Sequence, residues 1–125
     1  MAEPVAHVTL QGRRILLVED DYLMAQDLQA ELEDAGALVL GPVPDIEGAM
    51  DLLNTSPAPD AAVLDINLGC DMVYPLVYTL RERLIRVVFA TGYEAWSIPE
   101  RYRDLPRLEK PLSVRQIAEA LNRNQ

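Results

Sequence analysis

The chain is short of several things. Only one of its 125 residues, Cys70, is cysteine, so no internal disulfide framework exists. Only one, His7, is histidine. It falls in the N-terminal stretch MAEPVAHVTLQG, outside any patterned element, and no ligand or base role is expected for it. That stretch also lacks the basic-then-apolar order of a secretory signal, and no apolar run approaches the length that crosses a bilayer. These absences point to the cytoplasm. Positive charge is scarce too: eleven Lys and Arg stand against twenty Asp and Glu, a formal net charge of −9. A generic nucleic-acid binder needs the opposite balance. The acidic excess is compatible with a metal cation or a basic partner, and also with plain solubility. Repeats, low-complexity tracts and linkers are missing. Half the residues are hydrophobic, which suffices for the core of one domain.

What is present is an alternation. RRILLV (13–18), ALVLG (37–41), DAAVLDI (60–66), IRVVFATG (85–92) and RLEKP (107–111) read as five short strands. The third is apolar without alternation, as expected when both faces are covered. Asp20 or Asp21 caps a first helix whose Met24, Leu28, Leu32 and Ala35 share a face, and Gly36 ends it. A second helix carries Ile46, Ala49, Met50 and Leu53 on one side. A third, MVYPLVYTLRERL (72–84), tolerates Pro75 in its first turn. The fourth segment, YEAWSIPERYRDLP (93–106), is weakly patterned, and Pro99 interrupts it. Ser113 caps a last helix that turns Val114, Ile117, Ala118 and Leu121 inward. Five strands alternating with five helical segments predict an α/β fold: right-handed crossovers and a parallel sheet with helices on both faces.

In such a sheet, ligands bind beyond the carboxyl ends of the strands. The residues delivered there are Glu19, Asp20 and Asp21 after the first strand, and Asp65 then Asn67 after the third. Thr91 then Gly92 follow the fourth strand, and Lys110 then Pro111 the fifth. Taken singly, these residue types serve as helix caps, turn residues, β-formers or solvated lysines; their ordered conjunction on one sheet edge is what points to chemistry. Carboxylates packed together repel, and a bound divalent cation removes the conflict. Carboxylate oxygens with a main-chain carbonyl and waters suit Mg²⁺. Asp20 and Asp65 are the expected ligands, with Glu19 direct or through water and Asn67 through its main-chain carbonyl. Asp65 is then placed to attack a phosphoryl group, with Lys110 and Thr91 receiving the phosphoryl oxygens.

The pieces ILLVEDD, AAVLDINL, VVFATG and LEKP, in this order and spacing, resemble the receiver domain of two-component response regulators from about Arg13 onward. The resemblance implies a (βα)5 doubly wound, flavodoxin-like fold, with residues 1–12 as a flexible tail and 13–125 as the receiver domain. It implies Asp65 as phosphoacceptor, Glu19 and Asp20 as the acidic pair, Thr91 as the switch hydroxyl and Lys110 as the phosphate-binding lysine. The donor would be a sensor histidine kinase or a histidine phosphotransfer protein. FATGY (89–93) is further similar to stand-alone receivers of the Phe-Ala-Thr-Gly (FATGUY-like) subgroup, associated with alphaproteobacterial stress signalling.

The match departs from the family where receivers place Tyr or Phe three residues before the lysine: here stands Arg107, whose charge does not bury as a ring does. Tyr93, Tyr102 or Trp96 could supply a substitute ring. Readout is expected on the fourth helical segment, with Trp96, Ile98 and Tyr102 as its surface, together with the fifth strand and last helix; packing of those side chains on the sheet is the alternative. Apart from slow self-catalysed gain and loss of phosphate, no enzymatic turnover is expected. Three rivals remain: a phosphate sink, a docking module indifferent to phosphorylation, and an aspartyl-phosphate phosphohydrolase. The last usually has a second Asp two residues after the nucleophile, where this chain has Asn67.

Overall fold

Side chains leave a strand alternately to its two faces, and the central strands here are apolar on both. The computed structural model, which describes residues 10–68, 71–91 and 98–122, covers both faces with helices. Strands β1 (Arg14–Val18), β2 (Leu38–Val43), β3 (Ala61–Asp65), β6 (Arg86–Thr91) and β7 (Arg107–Glu109) form one sheet in the order β2-β1-β3-β6-β7. Every pairing in it is parallel. Helices α1 (Tyr22–Asp34), α2 (Ile46–Thr55), α3 (Tyr74–Glu82) and α4 (Val114–Leu121) complete the alternation.

The core is accordingly double. Ile15, Leu17, Val63 and Val88 pack with Leu32, Ile117 and Leu121 of α1 and α4. Leu16, Val18, Leu64 and Phe89 point the other way, into a cluster with Ala49 and Leu53 of α2 and Leu76, Val77 and Leu80 of α3. Each fully buried aliphatic side chain contributes about 1.5–3 kcal/mol, and the two clusters lie on opposite faces of the sheet.

The helix ends are specified locally. Asp21 accepts the Met24 N–H at 3.1 Å and is the cap of α1. Gly36, at φ +97°, donates to the Glu33 carbonyl while Ala37 donates to that of Leu32, a Schellman closure that requires the left-handed conformation. Pro75 lies in the first turn of α3. Ser113 and Gln116 exchange a full capping box at α4. At the amino ends of the strands, arginines receive the far ends of helices. Arg83 donates to the Leu53 carbonyl at 3.3 Å, Arg86 to that of Leu121, and Arg13 to Asn122 Oδ1 at 3.0 Å.

Three expectations need correction. The fourth helical segment is, among the described residues, only a 3₁₀ turn at Glu100–Tyr102, because Pro99 cannot extend a helix backward. Ile98 and Tyr102 do not form a readout surface: both are buried in the core cluster over α2 and α3, since apolar side chains beside an open sheet face gain most by covering it. Trp96 and Tyr93 lie outside the described residues. The stretch between β3 and α3 holds a small antiparallel hairpin, β4 (Asn67–Leu68) with β5 (Asp71–Met72), so α3 starts at Tyr74 rather than Met72. Most of the expected tail lies outside the described residues; Leu10 is fully buried, three residues before the expected boundary. Among the described residues, no helix is long and apolar enough to cross a membrane.

Candidate functional site

Register brings the site together. Val18 pairs with Leu64, and Asp65 with Ala90, so Glu19, Asp65 and Thr91 all leave their strands at one sheet edge. Glu19 is held by its backbone N–H, which donates to the Val43 carbonyl at 3.0 Å. Lys110 is held by its own N–H, which donates to the Thr91 carbonyl at 2.9 Å, fixing the end of β7 to the end of β6. Three polar side chains here are buried: Glu19 is 7 % exposed, Asp65 6 % and Thr91 2 %. Asp20 is exposed. Asn67 heads β4, directly past the end of β3.

Carboxylate oxygens of Glu19, Asp20 and Asp65 lie within 4.8 Å of one another. The Lys110 Nζ spans two of them, 3.0 Å from Asp65 Oδ2 and 3.2 Å from Glu19 Oε1. Burial lifts the Glu19 carboxyl from its ordinary 4.5 to about 7; the Asp21 N–H opposes this, Asp65 adds to it, and Lys110 opposes it. Burial also works against the Lys110 ammonium, but the hydrogen bond to Asp65 and the charges of Asp65 and Glu19 outweigh it and raise its pKa. Lys110 is therefore firmly charged, and one ammonium faces three acids. Between Ile15 and Leu80 the chain carries thirteen Asp and Glu and no Lys, Arg or His, so the site draws its counter-charge from the other end of the chain. The donor set suits a hard divalent cation: the ligands are oxygens only, they converge, and Glu19 is lifted first by burial and then by the neighbouring Asp65 charge.

Comparison with known proteins agrees with this fold. No protein-family model matches the chain. The solution structure of SdrG from Sphingomonas melonis superposes with a TM-score of 0.76 at 38 % identity, over 88 % of this chain and 93 % of that one. A response regulator receiver protein from Sinorhizobium medicae gives 0.71 at 25 % identity, over 90 % and 94 %. The chain belongs to the response regulator receiver domains. Transcriptional regulatory protein PdtaR of Mycobacterium tuberculosis is 27 % identical over 116 residues, which are 87 % of this chain and 55 % of PdtaR. The receiver thus spans about half the length of the curated relative it matches.

Glu19, Asp20, Asp65 and Lys110 converge as their positions in the sequence imply, and Thr91 ends the neighbouring strand. The sequence reading missed the role of Asp21: besides capping α1, its N–H donates to Glu19 Oε2 at 3.1 Å and so holds that carboxylate in place. Its position two residues past Glu19, at a helix start, is the signal that could have shown it. Arg107 is exposed on the edge strand β7, as its charge requires.

Proposed function

We propose that this receiver takes a phosphoryl group on Asp65 from a sensor histidine kinase or histidine phosphotransfer protein, and changes its surface as a result. The observation that supports this most is the bridging of Asp65 and Glu19 by Lys110 beside the three-carboxylate cluster. Glu19, Asp20 and Asp65, with the main-chain carbonyl of Asn67, would hold Mg²⁺. The ion supplies charge neutralisation, letting an anionic carboxylate and an anionic phosphoryl group approach. An Asp65 oxygen bonds to phosphorus as the donor's N–P bond breaks, and the donor imidazole leaves with the bonding pair. Lys110, already a firm cation, turns from the carboxylates to the incoming oxygens. Thr91 offers its hydroxyl to another. No general base is needed, since the attacking oxygen carries no proton, and the chain works as an acceptor rather than a turnover catalyst.

The phosphoryl donor would approach along α1, where Tyr22 and Leu23 are 71 % and 69 % exposed. A groove of about 150 Å³ runs there between α1 and the segment after β7, lined by Met24, Leu28, Pro111 and Leu112. The uniformly acidic half of the chain favours a donor with basic flanks. A downstream protein would read the face built by the 3₁₀ turn, β7 and α4. The FATGY motif and the likeness to SdrG support the Phe-Ala-Thr-Gly subgroup of receivers, and with it a cytoplasmic role in stress signalling.

Incubation with acetyl phosphate or phosphoramidate and Mg²⁺ tests the reading. The wild type should gain one acid-stable, base-labile phosphoryl group; Asp65→Asn should gain none, and chelation should suppress labelling. Equal labelling of the Asp65→Asn variant would refute it.

A further inference from the structure

Tyr74 carries a buried polar atom that the described residues leave unused. Its hydroxyl oxygen is shielded from solvent and has no hydrogen-bond partner among the described residues. Native folds keep few such groups, and each calls for a reason.

The ring itself is firmly placed. It stacks on Tyr102 with centroids 5.5 Å apart and planes 7° from parallel. It also meets Phe89 edge-on at 6.3 Å. These three rings belong to three different parts of the machinery. Tyr74 opens α3, immediately after the hairpin that follows Asp65. Phe89 sits two positions before Thr91 on β6, and therefore on the same face of that strand. Tyr102 belongs to the 3₁₀ turn, and the exposed Arg101 guanidinium lies 5.2 Å over its ring. One ring thus connects the phosphoacceptor loop, the strand of the hydroxyl and the chain's surface. The position where receivers usually carry an aromatic switch is meanwhile held by Arg107, exposed at the sheet edge, so the signal needs another carrier.

Resting on the phosphoacceptor reading above, we propose that Tyr74 and Tyr102 are the conformational relay of this receiver. The stacked pair with the idle hydroxyl is the resting state. A phosphoryl group on Asp65 favours a second arrangement, in which the rings part, the Tyr74 hydroxyl gains an acceptor and Arg101 is presented differently to a partner. Stacking favours the first state and the unsatisfied hydroxyl weighs against it, which narrows the gap between the two and lets a local charge decide. Neither residue touches the reacting atoms; both act through the segments they connect.

Tyr74→Phe keeps the ring and deletes the hydroxyl. It should raise the melting temperature of the resting protein but not that of the protein saturated with Mg²⁺ and beryllofluoride, an aspartyl-phosphate mimic. The population ratio should move toward rest by roughly five-fold or more, read as smaller beryllofluoride-induced NMR shifts at Tyr102 and the Arg101 side chain. Tyr102→Leu, which removes the stack but keeps the site apolar, should show the Arg101 shift before beryllofluoride is added. If Tyr74→Phe changes the melting temperature equally in both states, or both variants respond as wild type does, the hydroxyl is merely structural and the relay is refuted. If wild-type resonances of Asp65, Thr91 and Lys110 themselves fail to move, the phosphoacceptor reading falls and takes the relay with it.

Discussion

Glu19→Gln should stabilise the metal-free protein, and only at the right pH. The Glu19 carboxyl is lifted from 4.5 to about 7 in the fold. Because the folded pKa is the higher one, the protonated group favours folding below pH 4.5, and that advantage is lost as pH rises through 7. A lift of this size amounts to about 3 kcal/mol, at about 1.4 kcal/mol per pH unit. Against a total stability of about 5–15 kcal/mol for a native domain, that is a large share. Glutamine copies the neutral carboxyl and still accepts the Asp21 N–H. Urea denaturation in chelator should therefore find variant and wild type alike at pH 4.5. At pH 8 the variant should be more stable by about 2–3 kcal/mol, with unchanged slope. Saturating Mg²⁺ should reverse the order, since it stabilises whichever protein binds it more tightly. Equal stabilities of the two proteins at pH 8 in chelator would show that burial and the Asp65 charge do not hold the Glu19 carboxyl up as described.

Two further perturbations probe the scaffold. Gly41→Ala should cost about 2 kcal/mol or more: φ there is +99°, and a Cβ would meet the Leu17 carbonyl oxygen and the Val43 nitrogen at 2.9 Å; chemical denaturation measures it, and a neutral result would refute this close approach of β2 to β1. Ser113→Ala should cost about 1 kcal/mol by opening the α4 capping box, while labelling of Asp65 by acetyl phosphate proceeds as in wild type.

Four strands of the sheet were legible because each is built on an apolar run, and three of those runs stop at Glu19, Asp65 and Thr91; β7, with only Leu108 apolar, was legible from its place in the alternation just before Lys110. A buried chain that stops at a charge marks a strand end and a site together. Asp21, Gly36, Pro75 and Ser113 were legible as helix punctuation for the same local reason. The β4–β5 hairpin was not, since two-residue strands show no period. Ile98 and Tyr102 could be read as apolar but not as inward, because a three-residue 3₁₀ turn has too few positions to reveal which side faces the sheet. Leu10 was missed because a single leucine shows no period in sequence; it joins the cluster that Leu32, Ile117 and Leu121 build on one face of the sheet, and only the folded chain supplies that cluster. That the Tyr74 hydroxyl has no partner among the described residues is likewise a property of packing alone.

The arginine contacts beneath the sheet have a practical side. Arg13 holds Asn122, so the points where the described chain enters and leaves the domain lie side by side. Both are at the floor, away from Asp65. A fluorophore, tether or fused protein attached at either one would stand on the quiet end of the molecule. On the proposed function, it would stand clear both of a phosphoryl donor at α1 and of β7 at the opposite rim.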